Sequence, residues 1–169
     1  MDMNIMLIGF MGCGKSTVAA KLTKRLSVKQ IEMDALIAEE AGMSIPDIFA
    51  TYGEEHFRNI ETNMLRKFKD LKPVVVSCGG GVVLRDENVE LMKGQGKIIW
   101  LTATPQTVYE RVKDSTDRPV LNGNMNVEYI QELMEKRQQK YQAAADIMVS
   151  TDGKTVDEIC DEILSAIGI

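Results

Sequence analysis

The chain has 169 residues, 44% of them hydrophobic and 27% charged, and a net charge of −5. This composition predicts a single folded domain over 1–169 with a full core, and it excludes a disordered chain. The acidic balance disfavours a nucleic-acid-binding protein, which normally has a basic excess. No apolar run approaches the roughly 20 residues of a membrane span. We therefore expect a monomeric protein of the cytoplasm, without nucleic-acid or membrane partners.

The metal-binding and redox residues of the sequence are few. Cys13, Cys78 and Cys160 lie far apart, are odd in number and show no C-x-x-C spacing. They therefore indicate neither a disulfide framework nor a zinc site, and a reducing compartment is expected. The single histidine, His56, cannot be half of a pair of histidine ligands and is expected to be an ordinary helix residue.

Strand and helix patterns alternate along the chain. The β-branched run at 73–78 is hydrophobic throughout, which is typical of a strand buried on both faces of a parallel sheet. Strands are predicted over 4–9, 29–33, 73–78, 97–101 and 146–149, and helices over 16–26, 35–41, 44–68 (one or two helices), 86–93, 105–112, 127–145 and 156–167. The polar segment 113–126 is predicted to be a long loop. This order predicts an α/β fold with a mainly parallel sheet, helices on both faces and ligands at the carboxyl ends of the strands.

A phosphate-binding motif follows the first predicted strand. Residues 9–16 read G-F-M-G-C-G-K-S and fit the pattern G-x-x-x-x-G-K-[ST]. Its glycines let successive backbone N–H groups point at an anion, and the next helix adds its positive end. We expect Lys15 to reach the β and γ phosphates of a nucleotide and the Ser16 hydroxyl to bind Mg²⁺. The alternative is a glycine-rich turn with an exposed lysine. The predicted nucleotide contacts are Gly12, Cys13 (through its backbone N–H), Gly14, Lys15, Ser16 and Thr17.

The motif indicates a nucleotide but not a reaction. A switch GTPase would need an N-K-x-D or T-K-x-D segment to read guanine, and the sequence contains neither. Motor and remodelling ATPases are usually larger chains. Small chains with this motif are often kinases of nucleotides or metabolites, so the acceptor of the phosphoryl group has to be sought elsewhere in the sequence.

Two acidic residues at the end of the second predicted strand are candidates for the acceptor side. A carboxylate at Asp34 would face the phosphate loop and could orient a hydroxyl group or accept its proton. Glu32 lies two residues earlier, on the same strand face, and could hold a metal-bound water. The alternatives are a helix N-cap for Asp34 and a solvated side chain for Glu32.

Cationic and glycine-rich segments complete the candidate site. Arg58 and Glu61 are i,i+3 neighbours on a predicted helix that also carries an aromatic residue, so the arginine could clamp a small carboxylate. The alternative is a surface ion pair. The three glycines Gly79, Gly80 and Gly81 end a buried strand and invite close approach by a ligand, or they form a mobile turn. Arg118 in the polar loop and Arg137 in a long helix are further candidate cations, with solvated side chains as the alternatives.

Together these segments resemble the shikimate kinase family over nearly the whole chain. The phosphate loop alone is shared by many families. The segment F-R-N-I-E at 57–61, the G-G-G strand end at 79–81 and the R-P-V-L segment at 118–121 are far more specific. The remaining similar segments are Asp34, D-I-F-A at 47–50 and E-K-R at 135–137 with Tyr141.

The resemblance implies transfer of a phosphoryl group from ATP, with Mg²⁺, to the 3-hydroxyl of shikimate, in the pathway to chorismate and the aromatic amino acids. It implies a three-layer P-loop kinase fold like that of nucleoside monophosphate kinases: a five-stranded parallel sheet, a substrate-binding segment at 34–68 and a mobile lid at 113–126. It gives each candidate a role: Asp34 is the base, Arg58 and Arg137 clamp the carboxylate, the backbone of Gly80 contacts the substrate, Arg118 closes over the phosphates and Arg111 lies against adenine.

The sequence departs from the family pattern at two places, and two other functions are alternatives to a shikimate kinase. The family commonly has Asp where this chain has Glu32, which puts the water-mediated contact with Mg²⁺ in doubt. The adenine-side segment at 151–154 matches weakly, so Lys154 is left out of the predicted site. A kinase for another polyol acid, such as gluconate, would share the phosphate loop and lid but should lack the 57–61 and 79–81 pair. A switch that binds ATP without an acceptor would not need the acceptor-side arginines.

Overall fold

Helices follow each strand of the described chain, as the sequence patterns predict. The structure, a computed structural model, describes residues 1–113 and 125–169. The strands are β1 (Asn4–Ile8), β2 (Lys29–Glu32), β3 (Val74–Ser77), β4 (Gly96–Thr102) and β5 (Ile147–Ser150). The α-helices are α1 (Lys15–Leu26), α2 (Met33–Ala41), α3 (Ile45–Tyr52), α4 (Glu54–Phe68), α5 (Asp86–Lys93), α6 (Pro105–Val112), α7 (Val127–Ala144) and α8 (Val156–Ala166).

The five strands form one parallel sheet in the order β2-β3-β1-β4-β5. β2 and β3 lie on one side of β1, and β4 and β5 lie on the other. The direction in which strands are added therefore reverses next to β1. The carboxyl end of β1 therefore opens into a crevice, which is where sheets of this kind bind ligands. The predicted parallel sheet is confirmed.

Alternate residues of the central strand enter two separate cores. Met6 and Ile8 pack with buried side chains of α4, α5 and α7 on one face of the sheet. Ile5 and Leu7 pack with α1 and α8 on the other face. All of β1 is buried, which explains why its sequence shows no polar alternation. The fold thus has three layers, with helices on both faces of the sheet.

The local sequence signals account for most helix boundaries. Ser44 caps α3 by accepting a hydrogen bond from the Asp47 N–H, and Gly42 ends α2 in a left-handed conformation. Two short 3-10 helices, Lys69–Leu71 and Val82–Leu84, were not predicted. The predicted lid at 113–126 lies outside the described residues except at its two ends. Within the described ranges, no helix is both long and apolar enough to cross a bilayer.

A buried asparagine joins the beginning of the sheet to the helical layer. Asn4 is fully buried, and its Nδ2 donates to the Phe68 carbonyl and to Gln95 Oε1, each at 3.1 Å. Its Oδ1 accepts the Val74 N–H at 3.1 Å, so a single side chain links β1 to β3 and to the end of α4. Buried polar groups of this kind are costly to leave without partners.

We expect Asn4→Ala to lower the free energy of unfolding by about 2–4 kcal/mol, because it leaves a backbone donor and a backbone acceptor unpaired in the core. Urea unfolding monitored by circular dichroism measures the loss. The exposed Asn63 in α4 offers a matched control, and Asn63→Ala should cost no more than about 0.5 kcal/mol. Similar losses in the two variants would contradict the structural role of Asn4.

Candidate active site

One pocket of about 600 Å³ lies at the carboxyl ends of β1, β2 and β3. We call it the central pocket. It brings together most of the residues that the sequence nominated, from six separate segments of the chain. The predicted residues that line it are Gly12, Gly14, Lys15, Ser16, Thr17, Glu32, Asp34, Arg58, Gly79, Gly80, Gly81, Arg111 and Arg137.

The phosphate loop has the conformation that its glycines predict. Gly9, Gly12 and Gly14 have φ angles of 149°, 79° and 99°, which other residues rarely adopt. A side chain at Gly9 would collide with the Leu101 carbonyl oxygen, 2.4 Å from the Cβ position. The loop therefore depends on glycine at this position both for its conformation and for its packing against β4.

Lys15 does not point into solvent, so the alternative of an exposed lysine in a simple turn is wrong. Its side chain is 9% exposed, and its Nζ donates to the carbonyls of Gly9 at 2.8 Å and Phe10 at 3.0 Å. The loop thus binds its own lysine in this conformation. The ammonium group lies within reach of any phosphate bound above the loop.

Cys13 differs from its predicted role. Its side chain is buried, it does not line the central pocket, and its backbone N–H donates to the Phe10 carbonyl at 3.2 Å. This N–H is therefore committed to the turn in this conformation rather than presented to an anion. All three cysteines are free and buried.

An oxygen-rich group lies beside the start of α1. The Ser16 hydroxyl donates to Glu32 Oε2 at 2.8 Å, and Gln30 Nε2 donates to Glu32 Oε1 at 2.6 Å. Glu32 is half-buried, contacts the serine directly and is oriented by a neighbour on its own strand, so it is not a freely solvated side chain.

Asp34 faces the turn formed by Gly79, Gly80 and Gly81, which we call the glycine turn. It is the second residue of α2, and Glu32 occupies the N-cap position, so the alternative of an N-cap aspartate is wrong. Its Oδ1 lies 2.7 Å from the point where a Cβ of Gly79 would stand. Only glycine at 79 leaves room for this carboxylate at the wall of the pocket.

Arg58 and Glu61 form a buried ion pair. Arg58 is 8% exposed and Glu61 is fully buried, and Arg58 Nη1 donates to Glu61 Oε1 at 3.2 Å. The predicted alternative of a surface pair is therefore wrong. Arg58 Nη2 also donates to Glu54 at 3.1 Å, while within the described residues its buried Nε has no hydrogen-bond partner. The guanidinium carbon lies 5.2 Å from the ring centroid of Phe57.

The surroundings of Glu61 disfavour its charged form. Burial raises the pKa of this carboxyl to about 7, the adjacent Arg58 guanidinium lowers it, and the Asp34 carboxylate raises it. One of its oxygens, Oε2, is buried and unpaired within the described residues. Arg58 thus lines the pocket with carboxylate partners at Glu54 and Glu61 and with one buried donor, Nε, unpaired within the described residues.

Arg137 is the second buried cation. It is 5% exposed, its guanidinium carbon lies 5.8 Å from the ring centroid of Phe10, and its Nη1 has no hydrogen-bond partner among the described residues. The alternative of a solvated helix side chain is wrong. Nη1 lies 3.5 Å from the Cβ position of Gly80, which places it against the glycine turn.

The glycine turn is tightly enclosed. A Cβ at Gly81 would stand 2.5 Å from both Nη atoms of Arg58, so glycine is required there too. Tyr141, one turn beyond Arg137 in α7, donates its hydroxyl to the Gly80 carbonyl. Sequence reasoning assigned no role to this hydroxyl. The signal that could have found it is the i,i+4 spacing of Arg137 and Tyr141, which places both on one helix face.

The two remaining candidates lie toward the α6 end of the loop. Arg111 Nη1 donates to the Gly12 carbonyl at 2.9 Å, which ties the end of α6 to the phosphate loop. Arg118 lies outside the described residues, so its predicted position over the phosphates is an expectation only.

Comparison with known proteins agrees with this geometry. A family profile described as shikimate kinase matches residues 11–168. The shikimate kinase of Persephonella marina is 44% identical over 97% of this chain and 98% of its own length. The structure of shikimate kinase from Acinetobacter baumannii in complex with shikimate superposes with a TM-score of 0.93 and 29% identity, covering 98% of this chain and 92% of that chain.

A gluconokinase structure from Sinorhizobium meliloti is also similar, covering 99% of this chain and 92% of that chain, with a TM-score of 0.60. Its 18% identity shows a shared fold only. By contrast, the family profile and the relatives at about 40% identity extend over nearly the whole chain. The chain therefore belongs to the shikimate kinase family.

Proposed function

We propose that the central pocket is where this chain, an ATP-dependent kinase of the shikimate kinase family, transfers the γ-phosphoryl group of ATP to the 3-hydroxyl of shikimate. The observation that carries the proposal is the pair of buried arginines that line the central pocket beside the turn at residues 79–81. Arg58 and Arg137 both present buried donors that lack partners within the described residues. Burying two cations in this way is costly unless an anion completes the site.

The phosphate loop forms the ATP end of the proposed site. Backbone N–H groups of the loop and the positive end of α1 would hold the phosphates, and Lys15 would exchange its two carbonyl partners for phosphate oxygens. Arg111, tied to the loop at Gly12, would lie beside the nucleotide. We expect it to lie against the base. Arg118 keeps its predicted role as the cation that closes over the phosphates.

The residues around Ser16 fit Mg²⁺. The Ser16 hydroxyl and the Glu32 carboxylate are hard oxygen donors 2.8 Å apart beside the phosphate loop. Within the described residues, no group of three or more His, Cys, Asp or Glu side chains could hold a metal ion without other ligands. That pattern suits Mg²⁺, which takes one or two protein oxygens and completes its shell with phosphates and water. When bound, the ion neutralises developing charge on the phosphates.

Asp34 and the arginines form the acceptor end. The carboxylate of Asp34 lines the same pocket beside Gly79, where it can orient the acceptor hydroxyl and take its proton. Arg58 and Arg137 would fix the substrate carboxylate, and the residues at 34–68 supply part of the surrounding wall. Because the transition state of phosphoryl transfer is loose, positioning and charge neutralisation supply most of the catalysis.

The direct test of this function is release of ADP from Mg²⁺-ATP, compared with shikimate, quinate, gluconate and no acceptor. We expect release that depends on shikimate alone, with mass spectrometry identifying shikimate 3-phosphate as the product. Release that is equally slow in every reaction would instead indicate an ATPase or a nucleotide-binding switch, and would overturn the assignment of the acceptor end.

We expect Arg58→Ala to weaken shikimate binding by about a hundredfold and to leave ATP binding unchanged, because it removes a buried charge-assisted contact at the acceptor end only. Isothermal titration calorimetry with each ligand measures both affinities. Arg66, an exposed arginine on the same helix that pairs with Glu87, provides the control Arg66→Ala, which should bind both ligands normally. Equal weakening of both ligands in Arg58→Ala would argue against a substrate contact.

Asp34→Asn should lower kcat by about 10²–10⁴-fold while ATP still binds, because the amide cannot accept the proton of the acceptor hydroxyl. Steady-state kinetics and ATP titration separate the two effects. Asp47→Asn, an exposed change in α3, serves as the control and should keep normal turnover. Near-normal turnover in Asp34→Asn would refute the role as base.

Glu61 should make stability depend on pH in an identifiable window. Its pKa is about 7 in the folded protein against about 4.5 when unperturbed, so between these values the folded state binds more protons than the unfolded state. The stability contributed by the protonated carboxyl is therefore present below about pH 4.5 and is lost as pH rises to about 7. The full loss is about 3 kcal/mol.

The Glu61→Gln variant lacks this titrating carboxyl and should not lose stability through it. The unfolding free energy of the unaltered protein should therefore fall relative to that of the variant as pH rises from about 4.5 to about 7. Urea unfolding at several pH values measures it. Glu55→Gln, which changes an exposed carboxyl on the same helix, should keep the slope of the unaltered protein. An unchanged slope in Glu61→Gln would show that Glu61 titrates normally.

A further inference from the structure

α7 sends two buried side chains to the glycine turn from one helix face. Arg137 and Tyr141 are four residues apart, and they are 5% and 2% exposed. Arg137 approaches the turn from the pocket side, while the Tyr141 hydroxyl donates to the Gly80 carbonyl. The charge of Arg137 has an evident use in binding an anion, but the family resemblance gave the Tyr141 hydroxyl no function.

The glycine turn has no side chains to hold it in place. Gly79 and Gly81 must lack a Cβ to admit Asp34 and Arg58 at their present positions, and glycine is the residue with the greatest backbone freedom. A hydrogen bond to the Gly80 carbonyl restrains this freedom directly. Because the peptide unit is planar, fixing that oxygen also fixes the direction of the Gly81 N–H.

The Tyr141 ring is itself held rigidly. It belongs to the core beneath the sheet face and stacks on Trp100 with 5.7 Å between ring centroids. Burial raises the pKa of its hydroxyl, so the group remains a protonated donor. A hydroxyl on a fixed ring can therefore act as an anchor for the turn, because neither its position nor its protonation changes readily.

The same anchor sets the distance between the turn and Arg137. The guanidinium has no covalent or ionic tie to the turn, and its Nη1 lies 3.5 Å from the Cβ position of Gly80. The Tyr141 bond joins the turn to the helix that carries Arg137, one helical turn away. Loss of the bond would let the turn and the guanidinium move relative to each other.

We propose that Tyr141 is a positioning residue for the acceptor substrate, whose hydroxyl fixes the Gly80 carbonyl and so holds the glycine turn and the Arg137 guanidinium at the spacing that the substrate requires. The inference rests on the proposed function, because it assumes that shikimate binds between these two groups. Because the Tyr141 hydroxyl bonds to the glycine turn at the acceptor end, its loss should leave ATP binding unaffected.

Tyr141→Phe tests the inference, since it removes one oxygen atom and keeps the ring. We expect shikimate binding by calorimetry to weaken about tenfold and ATP binding to stay unchanged. Tyr52→Phe is the matched control: Tyr52 is 58% exposed on α3, and both affinities should stay normal. A Tyr141→Phe protein with unchanged shikimate affinity, or with both affinities weakened equally, overturns the inference.

A double-mutant cycle separates positioning from simple loss of packing. In the Arg137→Ala background, Tyr141→Phe should weaken shikimate binding much less than it does alone, because the spacing it sets no longer serves the guanidinium. Full additivity of the two losses contradicts the proposed coupling.

A second measurement uses the unaltered protein and does not depend on a variant that folds. Trp100 is the sole tryptophan of the chain and stacks on Tyr141, so its emission reports on this anchor. Because the anchor is fixed, shikimate should bind without changing the emission of Trp100. Calorimetric binding of shikimate accompanied by a shift in this emission would show that the anchor moves and overturns the inference alone, while absence of shikimate binding overturns the proposed function as well.

Discussion

The arrangement of the acceptor end depends on one constraint, the absence of side chains at residues 79–81. The Cβ positions of this turn are already taken up by groups from other elements: carboxylates of Asp34 and Glu61 at Gly79, and the guanidinium of Arg58 at Gly81. α2 and α4 can therefore bring Asp34, Glu61 and Arg58 to the end of β3 only because glycine stands at 79 and 81. A methyl group at either position would displace one of these side chains.

Burying several charged side chains at the end of β3 has an electrostatic cost, which neighbouring residues partly offset. The chain is acidic overall, yet it buries two arginines beside the same turn. Glu61 forms an ion pair with one of them, Arg58. Burial of the Glu61 carboxyl nevertheless favours its neutral form. Phe57 and Phe10 supply ring faces against the two guanidinium groups, a weaker compensation that leaves their donors open. The site is thus prepared for an anion before one arrives.

Most of the architecture was predictable because the local signals agree with the global fold. The β-branched strands, the Ser44 cap and the stop at Gly42 each specify a boundary from neighbouring residues alone. The phosphate loop was equally clear, since its glycine spacing and the strand and helix around it are all local features. The burial of Arg58, Glu61 and Arg137 was not predictable from helix patterns, where surface ion pairs were the simpler explanation. It follows from contacts between elements far apart in sequence, as does the Tyr141 contact with Gly80.

The hydrogen bonds that Lys15 makes within the phosphate loop affect the energetics of nucleotide binding. Because its ammonium group already satisfies two carbonyl oxygens of the loop, nucleotide binding exchanges hydrogen-bond partners and adds few new ones. The gain must come from bringing negative charge to a cation and to the end of α1, an energy that dissolved salt screens. Affinity for nucleotides should accordingly fall as ionic strength rises, and a neutral mimic of the phosphates would have to displace the lysine without any compensating attraction.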